Sequence, residues 1–158
     1  MSKATKQENL SILAGAKNGL VYLTANDWAL IADKAAKMQF KSGDRLVHKD
    51  RTTPGVHLLL KGTASIEIGG PNKARMIGPG EICGEISFLD ELPATADVVA
   101  SGAVESYFLD RATLQSMFEL FPHLGSRFYR SLATILSRRL RGMISAQGAT
   151  KAATPDLG

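Results

Sequence analysis

Every candidate strand between Met38 and Leu109 is short and ends at a turn signal, and that punctuation constrains the fold more than any other feature of the chain. Ser42-Gly43-Asp44, Pro54-Gly55, Gly62, Gly69-Gly70-Pro71-Asn72, Gly78-Pro79-Gly80 and Ser101-Gly102 are the breaks. Between them lie segments expected to be strands: Met38–Lys41, Arg45–His48, Val56–Leu60, Thr63–Ile68, Ala74–Ile77, Asp97–Ala100 and Glu105–Leu109. Thr63–Ile68 alternates apolar and polar with period two, as a half-buried strand does. On both sides the period changes to that of helices. Residues 7–18 form a helix with Leu10, Ile12, Leu13 and Ala16 on its apolar side, after a loose tail at 1–6. Thr24-Ala25-Asn26-Asp27 reads as a capping box opening a helix to Lys37, with Trp28, Ile31, Ala32, Ala35 and Ala36 at helical spacing. Beyond Asp110, Ala112–Leu120 is a helix stopped at Pro122. A longer one then starts near His123. Its stripe is Leu124, Phe128, Leu132, Ile135, Leu136, Leu140 and Met143. Helices, many short strands, then helices give an α+β class, a β-roll or barrel packed against helices from both ends.

A chain of 158 residues is enough for one domain with its own core, and 44% apolar with 22% charged residues is ordinary for a globular protein. We divide it into a tail and short helix at 1–23, a domain at 24–143 and a disordered tail at 144–158. No run approaches the ~18 apolar residues that span a bilayer, and no signal-peptide core follows the polar N-terminus, so a cytoplasmic location is expected. The single cysteine, Cys83, allows no internal disulfide and is expected to be a small buried side chain. Net charge is +4, and its densest part is Arg127, Arg130, Arg138, Arg139 and Arg141, expected mostly on the solvated face of the last helix.

The stretch from Gly80 to Val99 carries the chemistry. Gly84 lets the backbone approach a ligand closely, and a short helix after it directs unpaired amides at an anion. Glu85 on that helix is either a hydrogen-bond acceptor for a ligand or a carboxylate capping the helix. With Gly84-Glu85-Ile86-Ser87 and Ala94-Thr95-Ala96, this stretch resembles the phosphate-binding cassette of cyclic-nucleotide-binding domains. Phe40-Lys41-Ser42-Gly43-Asp44, Val56 to Gly62 and Ile77-Gly78-Pro79-Gly80-Glu81 are similar to three further motifs of that family, in the same order. The resemblance runs from about Thr24 to Met143. It implies an eight-stranded antiparallel β-roll, jelly-roll-like, with N-terminal helices, a short helix inside the cassette, and B and C helices at the end.

The resemblance implies ligand contacts at Gly84, Glu85, Ile86, Ser87, Ala94, Thr95 and Ala96, with Glu85 accepting from a ribose hydroxyl. It also exposes a departure, since Ala94 stands where the family carries a phosphate-pairing arginine. Losing a charge-assisted contact worth about 3 kcal/mol weakens binding roughly a hundredfold. Asp97 adds negative charge nearby. Three outcomes stay open: a different ligand, a substitute cation (Arg75, Arg138 or Arg139), or an empty pocket.

No Walker loop or nucleophile elbow occurs, and His48, His57 and His123 are scattered rather than spaced as metal ligands, so a metal-dependent barrel enzyme is the weakest reading. The chain is expected to be a non-catalytic regulatory module. It would sense a nucleotide-type ligand (cyclic AMP, cyclic GMP or cyclic di-GMP) and signal through its last helix. Its expected partner is another protein or a second copy, met through the helix Leu124–Met143, with no DNA-binding segment after it and no membrane. The alternative is a ligand-free interaction or oligomerisation scaffold of the same fold.

Overall fold

The computed structural model describes residues 3–69 and 74–153. In chain order the elements are helices α1 (Lys3–Gly15) and α2 (Ala25–Lys34), then strands β1 (Ala36–Phe40), β2 (Arg45–Val47), β3 (Gly55–Lys61), β4 (Ala64–Glu67), β5 (Ala74–Ile77) and β6 (Ile82–Cys83). Helix α3 (Glu85–Asp90), strands β7 (Asp97–Ala100) and β8 (Val104–Asp110), and helices α4 (Arg111–Leu120) and α5 (Pro122–Ala153) follow. The expected turn at Gly69-Gly70-Pro71-Asn72 lies outside the described residues beyond Gly69.

The strands form two four-stranded sheets, ordered β1-β8-β3-β6 and β2-β7-β4-β5. Their neighbours all pair antiparallel. This is the β-roll with flanking helices expected from the sequence. β3 shows how the two layers share one core. It is buried from Gly55 to Leu60, because helices cover one face of its sheet and the second sheet covers the other. Val56, Leu58 and Leu60 join the helix-side cluster with Trp28, Phe88, Leu124, Phe128 and Leu132. Leu59, one residue out of phase, joins Leu46, Val47, Ala64, Ile77 and Val98 between the sheets.

Several boundaries differ from the sequence reading, each for a local reason. α1 begins at Lys3 and stops at Gly15, where residues 16–19 turn with Gly19 N–H donating to Ala16 O. α2 stops at Lys34, not Lys37, because Ala36 and Lys37 pair with Phe108 and Tyr107 of β8. Its capping box is complete: Asp27 N–H donates to Thr24 Oγ1, and Thr24 N–H donates to Asp27 Oδ2. α5 continues to Ala153, so residues 144–153 of the expected disordered tail are helical, built on helix formers such as Ala146, Gln147 and Ala149. The rest of that tail lies outside the described residues.

The apolar stripe of α5 does two different things along its length. Leu124, Phe128, Leu132 and Ile135 are buried against the roll, whereas Leu140 and Met143, at 57% and 63% exposed, are not. The arginines keep most of the expected solvated face, with Arg130, Arg138 and Arg141 exposed, while Arg127 and Arg139 are partly buried. Arg127 donates from Nε and Nη2 to both carboxylate oxygens of Asp27 at 2.6 and 2.9 Å, tying α5 to the start of α2. Arg130 lies over the Tyr22 ring at 4.0 Å, and Arg139 reaches the cassette.

Candidate ligand-binding site

The cassette is positioned by three local devices. β6 pairs with β3 through Cys83 and His57, which delivers the chain to Gly84 at the mouth of the roll. Gly84 takes φ 85°, and a Cβ there would also lie 2.9 Å from Gly55 O, so this turn requires glycine. α3 then starts at Glu85 and carries Phe88 into the core, where its ring meets Phe128 of α5 edge-on at 6.0 Å. Arg111 stacks its guanidinium over Phe88 at 4.7 Å and donates to Ser87 O. The cassette helix and the long helix therefore share one aromatic anchor.

Between the second sheet, the cassette and α5 lies a cavity of about 740 Å³. This is within the range of small-molecule sites. Gly84, Glu85, Ile86, Ser87, Ala94, Thr95 and Ala96 all line it, as do Arg75, Arg138 and Arg139. Its walls are otherwise mostly aliphatic, with Val47, Ile66, Val98, Ile135 and Leu136 among them.

Individual roles differ within that set. Ser87 Oγ is already used inside the protein: it donates to Leu92 O at 2.5 Å and accepts from Thr53 N–H at 3.3 Å. Ala94 is held by its backbone, donating to Arg51 O and accepting from Asp50 N–H, and its methyl is buried. Thr95 is exposed. Asp97 is turned away from the cavity, accepting from Lys49 N–H at 2.8 Å and lying 3.5 Å from Arg45 Nε.

Glu85 is the centre of the electrostatics. Its side chain is 4% exposed, and Oε1 accepts from Arg139 Nη1 at 2.5 Å. Arg139 Nε is buried without a hydrogen-bond partner among the described residues. Arg75 Nη2 lies 3.7 Å from Glu81. Burial pulls the Arg75 guanidinium below its ordinary value, and nearby Arg139 pulls the same way while Glu81 and Glu85 oppose it. Arg138 Nη1 donates outward to Lys17 O at 3.3 Å. Cys83 lines the cavity as a buried thiol, and burial pushes its pKa well up, with Glu85 adding to the effect. The Glu85–Arg139 pair joins residues 54 positions apart, and no local pattern announces such a contact. Among the described residues no group of three or more histidine, cysteine, aspartate and glutamate side chains is placed to hold a metal ion.

The family model described as "Cyclic nucleotide-binding domain" matches residues 37–120. Cyclic GMP-binding protein C of Dictyostelium discoideum is 27% identical over 131 residues, which is 80% of this chain and 5% of that protein. The HTH-type transcriptional regulator Cmr of Mycobacterium tuberculosis is 25% identical over 134 residues, 81% of this chain and 55% of that one. The chain thus spans a small part of the first relative and about half of the second. Among solved structures, a cyclic nucleotide-binding domain from Methylobacillus flagellatus superposes with a TM-score of 0.74 at 23% identity, covering 88% of this chain and 80% of that one. No helix among the described residues is long and apolar enough to cross a membrane.

Proposed function

Because this chain belongs to the cyclic nucleotide-binding domain family, we propose that it is a ligand-sensing regulatory module whose cavity takes a nucleotide-type ligand. The ligand's phosphate is received by arginines from β5 and α5, not by residue 94. The observation that carries this reading is the placement of Arg75 and Arg139 around a cavity whose cassette has Ala94. A guanidinium offers a planar fork of donors suited to phosphate oxygens, and Arg139 has one donor to spare. The aliphatic walls suit the faces of a base. The cassette amides and Thr95 border the same space. Occupancy is passed on through α5, which contributes both Arg139 and the Phe128 ring that anchors Phe88.

Calorimetry of the unmodified protein with cyclic AMP, cyclic GMP and cyclic di-GMP tests this reading. Binding of at least one is expected, and heat from none of them at millimolar ligand ends it. Ala94→Arg restores a cation in the cassette. Charged hydrogen bonds are worth about 1.5–3 kcal/mol, so cyclic AMP affinity should rise roughly ten- to a hundredfold.

A second reading, a ligand-free oligomerisation scaffold, is favoured by the exposed Leu140, Met143 and Ile144 on the outer half of α5. It predicts that Met143→Glu shifts the sedimentation coefficient to that of a monomer while Glu85→Ala leaves assembly unchanged. Sedimentation unaltered by Met143→Glu discards it.

A further inference from the structure

Glu85 stands in the cavity as an anion already bound. Arg75, Arg138 and Arg139 line this space, Arg138 donating outward to Lys17 O, and Glu85 is the single carboxylate among its lining residues. Glu85 is taken by Arg139 at 2.5 Å, and both groups are largely shielded from water. Two charges taken out of solvent demand each other, because neither is hydrated well enough to stand alone. The grip is incomplete, however. Glu85 uses one amine of the guanidinium, and Nε of the same group stays buried and unpartnered. A phosphate or carboxylate that met this guanidinium with two oxygens would satisfy more of its donors than Glu85 does. It would also meet the charge of a Glu85 carboxylate that is itself largely shielded from water, where like charges repel more strongly than in bulk solvent.

The position of Arg139 on α5 gives this contact a further consequence. Among the described residues, Ile135 is the last buried apolar side chain of the helix, and Leu140, Met143 and Ile144 beyond it are exposed. Among the described ion pairs, Glu85–Arg139 is the outermost on α5. It therefore ties the unpacked half of the helix to the cassette.

We propose that Glu85 is an internal competitor for the ligand's anion. It holds Arg139, and with it the outer half of α5, against the cassette, and an anionic ligand competes with it for that guanidinium. This rests on the ligand-sensing reading above, and it assigns Glu85 a sign opposite to that of a ligand contact. A residue that binds the ligand weakens binding when it is neutralised, whereas a competitor strengthens it. The signal is then an exchange of partners on Arg139: the cassette releases the guanidinium as the ligand takes it.

The test compares the unmodified chain with Glu85→Gln and Arg139→Met. Cyclic AMP and inorganic pyrophosphate serve as probes in calorimetry, and amide hydrogen exchange is read along residues 136–147. Glu85→Gln should bind at least one probe tenfold or more tighter than the unmodified chain. It should also exchange faster along 136–147 without probe and slow again when the probe is added. Arg139→Met should show the fast exchange and lose the gain in affinity. An ion pair that merely braces the fold would give the faster exchange with weaker or equal binding, and that result overturns the proposal. Glu85→Gln that binds neither probe overturns it as well. Tighter pyrophosphate binding by Glu85→Gln, with no cyclic nucleotide bound by any form, leaves the competitor standing and removes the nucleotide reading. Cyclic nucleotide bound by the unmodified chain and equally by Glu85→Gln does the reverse.

Discussion

Buried between the rings of Phe40 and Phe108, His57 is a titratable group inside the roll, with Nδ1 3.0 Å from Ser106 Oγ. Burial pulls its pKa from 6.5 to about 4, against a smaller opposing effect of the Leu46 backbone. The folded state therefore prefers the neutral ring, while the unfolded chain takes up a proton near 6.5. The stability this confers is whole above that value and is lost as pH falls through 4, amounting to roughly 3 kcal/mol over the full range. Urea midpoints measured between pH 7 and pH 4 should fall accordingly, and His57→Gln, which keeps a hydrogen-bonding group, should flatten the dependence. An equal fall in His57→Gln would assign the effect to other groups. A lone histidine in Val56-His57-Leu58 gives no hint of this in sequence. Its strand period places it on one face of β3, but the Phe40 and Phe108 rings come from β1 and β8.

Among the elements, α2 and α5 are joined by the bidentate contact of Arg127 with Asp27. Asp27 also completes the capping box of α2, so one buried carboxylate serves a local and a distant purpose. The Arg127 hydrogen bonds hold its pKa below the usual carboxylate value, with burial opposing. Its contribution is thus present at neutral pH and is lost in acid as the carboxyl protonates. Asp27→Asn keeps a capping acceptor but removes the charge. It should cost about 1–3 kcal/mol in chemical denaturation, and a double-mutant cycle with Arg127→Met should show most of that cost to be shared. Additive costs would mean that the two side chains act separately. The capping box was legible from four consecutive residues. The clamp was not, because Arg127 lies 100 positions away and reads by itself as a charge on a wet helix face.

The whole molecule is two apolar clusters separated by one sheet. Leu58 and Leu59 are consecutive and both wholly buried, yet one packs among the helices and the other between the sheets. A strand shared in this way couples the helical layer to the roll, and the two should unfold together. Leu59→Ala removes contacts only from the cluster between the sheets and should cost about 2–5 kcal/mol. It should nevertheless lower the fluorescence transition of Trp28, which sits in the other cluster, in step with the circular dichroism transition. Separate transitions would show that roll and helices are independent units.

Local pattern reaches as far as element type, order and face. Turn residues and period-two alternation announced short strands, helical spacing announced α4 and the inner half of α5, and the glycine before Glu85 announced a place of close backbone approach. These depend on φ, ψ preferences and side-chain period, which act over a few residues. Sheet order, the burial of His57, the Asp27–Arg127 clamp and the Glu85–Arg139 pair depend on which distant segments the packed core brings together. The same sequence features are compatible with arginines pointing to water or into a cavity. The packing of Phe128 and Leu132 sets α5 against the roll, and that placement brings the Arg139 guanidinium onto the buried carboxylate of Glu85.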